Sequence, residues 1–400
     1  QGKAERLADA VVPFSFLLAG LVWLVTRNPA RAASVLLVDY SCALKLSTPL
    51  AVLAAMKEGV GCGVLVKGGR FLESLAAADA VVFDKTGTLT ESRPRVAEVI
   101  PGEGYERDDI LRTAACLEEH FPHPVARAVV RKAEQEGLHH QEEHTEVEYV
   151  VAHGIASRLH GKRVLFGSRH YIHHDEGVPV DGMREDIERL AREGRSILYL
   201  AVDGKLAGLI AIEDPLRPEA APVIRKLLGR GIRVVMLTGD DERTAAAVAE
   251  RLGISEYRSQ VLPTDKAEVI RSLQAEGHTV AMLGDGINDS PALSAADVGV
   301  TLSDGADLAR EVADVVLTEC RLDGLVTAVD LSKAAMRRIR TDFGLIMTLN
   351  TVFLASGLAG FLQPGPSALL HNLTTVGVSL NAMRPMLKAG AEPQLEEVSA

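Results

Sequence analysis

The sequence predicts an α/β protein: a doubly wound parallel sheet with a second α+β unit inserted into it and apolar helices on both sides. Three observations favour this fold class. Short apolar runs at Ala80–Phe83, Val234–Leu237 and Thr279–Leu283 are each followed within three residues by an aspartate. Helical patterns alternate with these runs, which is typical of strand-helix-strand units in a parallel sheet. Long apolar segments lie near both ends of the chain, and their length suits membrane-spanning helices.

The composition restricts the class of protein. With 400 residues and a formal net charge of -11, the chain has room for two or three domains and is unsuited to binding nucleic acid. Its four cysteines are widely spaced and form no Cys-x-x-Cys pair, which is typical of a reducing compartment without a disulfide framework. Hydrophobic residues make up 47% of the chain, and the excess lies at the two ends. We therefore expect the lipid bilayer to be one partner.

Four apolar segments are candidates for transmembrane helices: Ala10–Val25, Ala32–Met56, Phe343–Leu362 and Ser367–Met386. For the first and the last, a buried helix of a soluble protein is the alternative interpretation. Basic residues gather beside these segments, at Lys57, Lys67, Arg70, Arg337, Arg338, Arg340, Arg384 and Lys388. The positive-inside rule then predicts that both termini and the whole middle of the chain, residues 56–342, are cytoplasmic.

Between about Pro94 and Ile212 the pattern changes to two helical stretches followed by alternating segments. Asp203-Gly204 predicts a tight hairpin between the last two of these segments. We interpret this region as a separate α+β unit that divides the first sheet into two halves. Histidines cluster within it, at His139, His140, His144, His173 and His174. A solvated loop is the interpretation we favour over a metal site, because no paired spacing on one face supports a site.

Asp84 has the clearest chemical signature in the chain. It ends an apolar strand and is followed by the turn Lys85-Thr86-Gly87-Thr88. In open α/β sheets the reactive groups lie just beyond the carboxyl ends of the strands. Backbone N–H groups and hydroxyls in such a turn can hold a phosphate. A carboxylate at this position can act as a nucleophile and form an aspartyl-phosphate.

Four dispersed motifs complete a predicted phosphate site; they are Thr238-Gly239-Asp240, Pro263 to Lys266, Gly284 to Asp289, and Asp214 to Pro218. The first follows a strand and offers a hydroxyl and backbone N–H groups to phosphoryl oxygens. The second carries Lys266 on a first helical turn, where its charge can offset a transferring phosphate. The third supplies carboxylates, which suit Mg²⁺ because this ion prefers oxygen ligands. The fourth links the two domains.

Taken together, the run from Asp84 to Thr90 and these motifs resemble the P-type ATPases, whose phosphorylation domain has the haloacid-dehalogenase-like fold. The resemblance implies that Asp84 accepts the γ-phosphoryl group of ATP. It also implies that Asp84, the carbonyl of Thr86 and Asp285 hold Mg²⁺, and that Asp289 orients the magnesium shell. By the same resemblance, the residues that contact the phosphate are Thr238, Lys266 and Asn288. Those that take part in binding the nucleotide are Thr86, Gly239 and Asp240. Catalysis would then consist of positioning and charge neutralisation.

Thr86 distinguishes a transporter from a phosphatase of the same fold. Phosphatases of this fold usually carry a second aspartate two positions after the nucleophile, as a general acid and base. Here that position is a threonine. Without a nearby base the aspartyl-phosphate should persist, as a transporter requires while it changes shape.

The inserted unit resembles the nucleotide-binding domain of the heavy-metal-transporting class. His123-Pro124 matches the His-Pro pair of that class, and Glu118 precedes the histidine by five residues. Gly154 matches one glycine of the Gly-x-Gly turn, and Gly167 begins the pair that replaces Gly-Asn. The imidazole would lie near the adenine, and the Glu118 carboxylate would hydrogen-bond its edge. The predicted domains are transmembrane helices in 1–57 and 336–400, a phosphorylation domain in 58–94 and 213–335, and a nucleotide-binding domain in 95–212.

The apolar segments are expected to bind the cargo. Residues 39–49 align with the Cys-Pro-Cys…Thr-Pro helix of the family, with only one of the two cysteines retained. On the last helix, His371 to Thr375 is similar to the His-Glu-Gly-Gly-Thr of cobalt-type members. The predicted ligands of the transported ion are Asp39, Ser41, Cys42, His371, Asn372 and Thr375. Because one thiol among harder donors suits a divalent ion better than Cu⁺, we expect Zn²⁺, Mn²⁺ or Co²⁺. Lys45 is either a counter-ion that drives release of the metal or a structural partner of Asp39.

The expected function is therefore ATP-driven transport, in the direction of export, of a transition-metal cation across the cell membrane. A membrane-tethered phosphohydrolase of the same fold is the alternative, and a non-catalytic scaffold is disfavoured by the intact set Asp84, Lys266 and Asp285. The family also has further helices and an actuator domain with a Thr-Gly-Glu loop, and this tripeptide does not occur in the sequence. We expect the chain to be the C-terminal portion of such a transporter, with those segments as its partners.

Overall fold

A computed structural model describes residues 2–38, 41–91, 93–119, 124–138, 144–150, 154–284, 289–305 and 307–387. The chain divides into two compact units. The larger unit comprises residues 79–313, and the smaller unit comprises residues 1–78 together with 314–400. Each unit has buried apolar clusters of its own.

The helices in chain order are α1 (Gly2–Thr26), α2 (Pro29–Leu37), α3 (Ser41–Gly61), α4 (Gly69–Ala77), α5 (Arg107–Glu118), α6 (Pro124–Gln135), α7 (Arg184–Arg192), α8 (Ala220–Leu228), α9 (Glu242–Leu252), α10 (Lys266–Ala275), α11 (Ser290–Ala295), α12 (Asp307–Val312), α13 (Asp323–Ala359) and α14 (Pro364–Ala382).

The strands are β1 (Val64–Val66), β2 (Ala80–Asp84), β3 (Arg95–Pro101), β4 (His144–Val150), β5 (Gly154–Leu159), β6 (Lys162–Gly167), β7 (Ser196–Val202), β8 (Lys205–Glu213), β9 (Arg233–Leu237), β10 (Glu256–Arg258), β11 (Val280–Leu283), β12 (Val298–Leu302) and β13 (Val315–Leu317).

The first sheet of the larger unit contains parallel strands in the order β12-β11-β2-β9-β10. Every residue of β2 and β11 is buried, because helices cover both faces of a parallel sheet and its strands are continuous apolar runs. Strand β2 lies at the centre, with Phe83 opposite Leu283 of β11 and Asp84 opposite Leu237 of β9. The three predicted strands and their parallel arrangement are confirmed, and this order brings the ends of all three together.

The second sheet of the larger unit is antiparallel, with the order β3-β8-β7-β6-β5-β4. The predicted hairpin at Asp203-Gly204 joins β7 and β8, and both residues have positive φ, 47° and 76°. Helices α5 and α6 pack on this sheet around a buried cluster that includes Leu111, Val129 and Phe166. The α+β class of this region is confirmed. Strand β3 was not predicted, because its alternating pattern of Arg95–Pro101 is short and borders a proline.

The smaller unit contains α1 to α4, α13, α14 and the antiparallel pair β1-β13. Helix α13 is continuous over 37 residues, so the predicted apolar segment from Phe343 is its second half. The predicted segment Ala32–Met56 is divided between α2, which ends at Leu37, and α3. The predicted boundaries at residues 57 and 335 differ from the division into compact units and stay predictions.

Two stretches among the described residues are long and apolar enough to cross a membrane: Pro29–Gly61 and Asp323–Ala359. The apolar part of α1, Pro13–Thr26, is shorter. Helix α14 has 19 residues but is not among the candidate spans, because its middle carries histidine, asparagine, threonine and serine side chains. The expectation of four spanning segments is therefore met by length and composition at two of them.

Candidate functional site

Asp84 lies at the carboxyl end of the central strand and is only 6% exposed. The irregular turn Lys85–Leu89 follows it. Within this turn Gly87 has a φ of 79°, a left-handed conformation that glycine adopts without steric cost. The N–H of Gly87 donates to Thr90 Oγ1 at 2.8 Å, which closes the turn. Thr86, the position expected to distinguish a transporter from a phosphatase, is exposed.

Lys266 holds two carboxylates together beside the end of β2. It is the first residue of α10, and its Nζ donates to Asp84 Oδ1 at 2.8 Å and to Asp289 Oδ1 at 2.6 Å. All three side chains are less than 10% exposed. Burial by itself lowers the pKa of Lys266, but the attraction of the two carboxylates outweighs it and raises the pKa above its usual value. The lysine is therefore charged, and it fixes the position of Asp84.

The approach of Asp289 requires a glycine at position 284. A Cβ on Gly284 would lie 2.8 Å from Cβ and from Oδ2 of Asp289, closer than non-bonded carbon atoms normally approach. Gly284 directly follows β11, so the strand positions this contact. Asp285 and Asn288 of the same motif lie outside the described residues.

A second buried ion pair lies beside the first. Lys85 Nζ contacts Asp240 Oδ2, and both side chains are largely buried. Ser196 Oγ and Thr238 Oγ1 donate to the same carboxylate at 2.6 and 2.8 Å. Burial raises the pKa of Asp240, but Lys85 and these hydroxyls outweigh it and lower the pKa overall. Asp240 is thus an ionised anchor for Lys85, and Gly239 between Thr238 and Asp240 is exposed.

These groups include the residue types of a site for a divalent cation and a phosphoryl group. Three carboxylates (Asp84, Asp240 and Asp289) contact two ammonium groups (Lys85 and Lys266), so among these five groups the negative charges outnumber the positive ones by one. Hard oxygen donors with excess negative charge suit Mg²⁺. Thr88 in the turn is fully buried, and its Oγ1 has no hydrogen-bond partner within the described part of the chain. A phosphoryl oxygen would satisfy this hydroxyl.

Arg217 holds the turn in place, whereas the sequence analysis assigned it only to the linking motif Asp214 to Pro218. It is 9% exposed, and its Nε donates to the carbonyl of Thr90 at 2.9 Å. Its Nη2 donates to the carbonyl of Gly87 and to Asp304 Oδ2 at 3.4 and 3.2 Å. A β-bridge between Thr90 and Leu216 adds main-chain contact. The only signal in the sequence for this role was an arginine immediately before a proline.

The predicted nucleotide-binding residues lie in the antiparallel part of the larger unit. Gly154 pairs directly with Gly167 across β5 and β6. A Cβ on Gly154 would lie 2.5 Å from the carbonyl oxygen of Phe166 and from the ring of Tyr171, so a larger residue does not fit. Glu118 ends α5, and its burial raises the pKa of its carboxyl group to about 7. His123 lies outside the described residues.

In the smaller unit, His371 of α14 lies beside Asn350 of α13, with Nδ1 and Oδ1 3.3 Å apart and both residues buried. The sequence analysis missed Asn350, although an amide inside an apolar segment was a visible signal. Cys42 and Asn372 are exposed, and Thr375 Oγ1 donates to the carbonyl of His371. The predicted ligands therefore do not all face one interior.

Several further predicted positions lie outside the described residues or have side chains that are not described. Asp39 lies outside the described residues, and the side chain of Ser41 is not described. Of the clustered histidines, His173 and His174 belong to the turn His170–Asp175, whereas 139 and 140 lie outside. Within the described ranges no group of three or more His, Cys, Asp or Glu residues is arranged to hold a metal ion; Asp285, the further predicted magnesium ligand beside Asp84, lies outside those ranges.

Comparison with known proteins agrees with this fold. The family of haloacid dehalogenase-like hydrolases matches residues 78–297. The chain is 42% identical to a zinc-exporting P-type ATPase of Mycobacterium marinum and 41% identical to a manganese-exporting P-type ATPase of Mycobacterium tuberculosis. Both matches cover 96% of the chain, and they cover 53% and 54% of the relatives. A crystal structure of a zinc-transporting PIB-type ATPase in the E2.Pi state matches with a TM-score of 0.71 and 34% identity, over 95% of this chain and 63% of that one.

Because the family match covers more than half of its length, the chain belongs to the haloacid dehalogenase-like hydrolases. Its close curated relatives within that class are heavy-metal P-type ATPases, which confirms the resemblance drawn from the motifs. The chain spans about half the length of the curated relatives it matches. Those two relatives are named for different metals.

Proposed function

We propose that these residues form the phosphorylation, nucleotide-binding and cargo-binding parts of an ATP-driven exporter of a divalent transition-metal cation. One observation carries this proposal: a buried lysine joins the carboxylate at the end of the central strand to a second carboxylate. This geometry supports phosphoryl transfer to Asp84, because the nucleophile is fixed and its surroundings carry the charges that a transferring phosphoryl group requires.

In the proposed step, one Oδ atom of Asp84 attacks the γ-phosphorus of ATP. The bond between this phosphorus and the bridging β,γ-oxygen breaks, ADP leaves, and an aspartyl-phosphate remains. Lys266 orients the carboxylate and offsets the charge on the phosphoryl oxygens. The hydroxyl of Thr88 is a candidate to donate to those oxygens, and the hydroxyl of Thr238 would do so in place of its hydrogen bond to Asp240. Water later hydrolyses the acyl phosphate, slowly in the absence of a base at position 86.

Mg²⁺ and ATP fit the residues around Asp84 and Glu118. Asp84, the carbonyl of Thr86 and Asp285 would hold the ion, and Asp289 would orient its shell. The bound ion would neutralise charge on the phosphates as they react. Glu118, His123, Gly154 and Gly167 would hold the adenine end of ATP, and Gly239 and Asp240 would lie near its phosphates.

The cargo would bind between α13, α14 and α3. The buried pair of His371 and Asn350 supports this assignment, because a nitrogen and an amide oxygen suit Zn²⁺, Mn²⁺ or Co²⁺ better than Cu⁺. Cys42, Ser41, Asp39, Asn372 and Thr375 are the further ligands proposed from the sequence. Two stretches long and apolar enough to span a bilayer support a multi-pass location in the plasma membrane, with the larger unit in the cytoplasm. The relatives are about twice as long, so we propose this role for these residues as one part of such a transporter.

The test is phosphoenzyme formation by the full transporter that contains these residues, in isolated membranes. Incubation with [γ-³²P]ATP, Mg²⁺ and Mn²⁺ or Zn²⁺ should give an acid-stable label that hydroxylamine removes. Asp84→Asn should abolish the label, and Asp79→Asn, a matched change outside the site, should retain it. A tethered phosphohydrolase would instead hydrolyse small phosphomonoesters without trapping label. That outcome, or a label that survives Asp84→Asn, would overturn the proposal.

A further inference from the structure

Helices α13 and α14 are antiparallel neighbours, and buried polar and apolar residues alternate along the seam between them. Asn350 and His371 form a polar layer. Next to it, Ile346 and Val378 form an apolar layer, in one buried cluster with Ala43 and Leu44 of α3. A cation in the first layer would therefore be separated from Arg337 and Arg340, which lie near the middle of α13, by close-packed aliphatic side chains.

A second polar layer lies beyond this apolar one, at Asp342 of α13 and Asn381 of α14. Asn381 Nδ2 donates to Asp342 Oδ1 at 2.7 Å. Asp342 is only 2% exposed, and its Oδ2 has no hydrogen-bond partner in the part of the chain that the structure describes. A buried carboxylate oxygen without a partner is unfavourable. This atom therefore points to a ligand.

Arg338, one turn before Asp342 on α13, does not fill this role. Its Nη1 donates to the carbonyl of Asn381, and its Nη2 donates to the carbonyl of Pro385 at 3.4 Å. The guanidinium therefore holds the end of α14 while it places a positive charge near the Asp342 carboxylate. A positive neighbour weakens the attraction between the carboxylate and a cation. Weaker binding at this position suits a cation that must pass from it to another binding position.

We propose that Asp342 and Asn381 form a second binding position for the divalent cation, reached before the layer of Asn350 and His371. This inference rests on the proposed function and deepens it by adding a step to the path of the cargo. Carboxylate and amide oxygens are ligands for hard divalent ions such as Mn²⁺. An ionisable residue buried among apolar helices is functional by default.

The spacing of the two layers fits two separate positions. Asp342 and Asn350 are eight residues apart on one continuous helix, which corresponds to about 12 Å at 1.5 Å per residue. One ion cannot contact both layers at this distance. Movement between them requires Ile346 and Val378 to separate, so the apolar layer acts as the barrier between the positions.

The test uses the full transporter in membranes and measures phosphorylation from [γ-³²P]ATP as Mn²⁺ and Zn²⁺ are titrated. Asp342→Asn removes the charge but keeps an oxygen that can accept from Asn381. We expect the metal concentration for half-maximal phosphorylation to rise about tenfold or more, which is about 1.4 kcal/mol, with the maximal level little changed. Asp342→Glu, which restores the carboxylate, should recover part of the affinity.

Two controls separate cation binding from a structural role. Asp330→Asn makes the same change at a half-buried position of the same helix and should leave the titration unchanged. Asn381→Ala removes the hydrogen bond but keeps the Asp342 carboxylate, so its effect should be smaller than that of Asp342→Asn. If Asp342→Asn and Asn381→Ala lose thermal stability and metal affinity equally, Asp342 only holds α14 against α13, and the proposal is overturned.

His371→Ala separates failure of this inference from failure of the proposed function. If metal does not affect phosphorylation of the wild type, or if His371→Ala leaves the metal response intact, the proposed cargo site is wrong. If His371→Ala abolishes the response while Asp342→Asn titrates like the wild type, only the second position is wrong. If Asp342→Asn does not fold, the same titration is carried out with Asp342→Glu. A half-maximal concentration equal to that of the wild type in this variant would likewise overturn the inference.

Discussion

The two units bury charge in contrasting ways. In the larger unit, Asp84 and Asp289 contact one buried lysine, and Asp240 contacts another. In the smaller unit, Asp342 keeps one carboxylate oxygen without a hydrogen-bond partner among the described residues. The first arrangement would fix the proposed catalytic groups before a substrate arrives, which is how preorganised sites stabilise developing charge. The second would leave capacity for the proposed cation.

The two units also differ in how much apolar surface they expose. The central strands of the larger unit are entirely buried. The two candidate membrane spans of the smaller unit are only 40% and 22% buried, and Leu17 and Phe361 are 73% and 88% exposed. Large apolar side chains exposed on helices suit lipid or other helices. The larger unit therefore carries a complete core of its own, and the smaller unit has apolar surface that water does not favour.

The largest expected effect is that of Lys266→Met, which leaves the buried carboxylates of Asp84 and Asp289 without their shared cation. Removing one partner of a buried ion pair costs about 3–5 kcal/mol. We expect a loss of this size in the unfolding free energy, followed by thermal denaturation, and no phosphoenzyme. Adding Asp84→Asn should recover part of the stability, because it removes one of the two buried negative charges that repel each other once the lysine is gone.

The comparison between the units supplies the control for this prediction. Asn381→Ala removes one hydrogen bond from a neutral amide to a carboxylate in the smaller unit and should cost roughly 1–3 kcal/mol. If Lys266→Met proves no more destabilising than Asn381→Ala, then buried ion pairs do not hold the catalytic site together and the contrast drawn here is wrong.

A smaller effect is expected for Arg217→Ala, which removes hydrogen bonds to the carbonyls of Thr90 and Gly87. Because the turn after Asp84 would then be held less firmly, we expect phosphorylation to slow by roughly 10- to 100-fold. Rapid-quench measurement of labelling from [γ-³²P]ATP provides the rate. Arg225→Ala, which truncates an exposed arginine of α8, should label at the rate of the wild type. Equal rates in all three proteins would exclude a bracing role for Arg217.

The smallest expected effect is the pH dependence due to Glu118, whose pKa is raised by burial to about 7. A raised carboxyl pKa contributes stability that is fully present below the unfolded pKa of about 4.5 and is lost as the pH rises through 7. The ionised carboxylate is the better acceptor for an adenine amino group, so ATP should bind more tightly as the pH rises through about 7. Calorimetric titration between pH 6 and 8 measures this, and Glu118→Gln should remove the dependence. A pH profile that survives this substitution would assign it to another group.

Local patterns predicted much of the larger unit. The strand bearing Asp84, its two neighbours and the motifs that follow them could be identified, because parallel strands are continuous apolar runs and reactive groups follow their carboxyl ends. Strands β3 and β12 were missed, since short runs next to turn residues carry little periodicity. Arg217 was assigned only to a linker, because its contacts with Gly87 and Thr90 join residues about 130 positions apart.

The smaller unit was less predictable. Four apolar segments were visible, but nothing in their composition indicated that α13 would be continuous over 37 residues. Asn350 and Asp342 lie on one face of that helix, and their partners lie on α14. Pairing across two helices depends on how the helices are rotated and packed, and this cannot be predicted from the pattern of apolar residues in either helix.

The sequence by itself determined the fold class of the larger unit, the strand that carries Asp84 and the order of the motifs around it. These features depend on periodicity and on turn residues a few positions apart. Only the tertiary structure decided that Lys266 would join Asp84 to Asp289, and that Asp342 would keep an unpartnered oxygen beside Asn381. The physical reason is that buried charge is balanced by neighbours in space, and the chain brings these neighbours together from positions far apart in sequence.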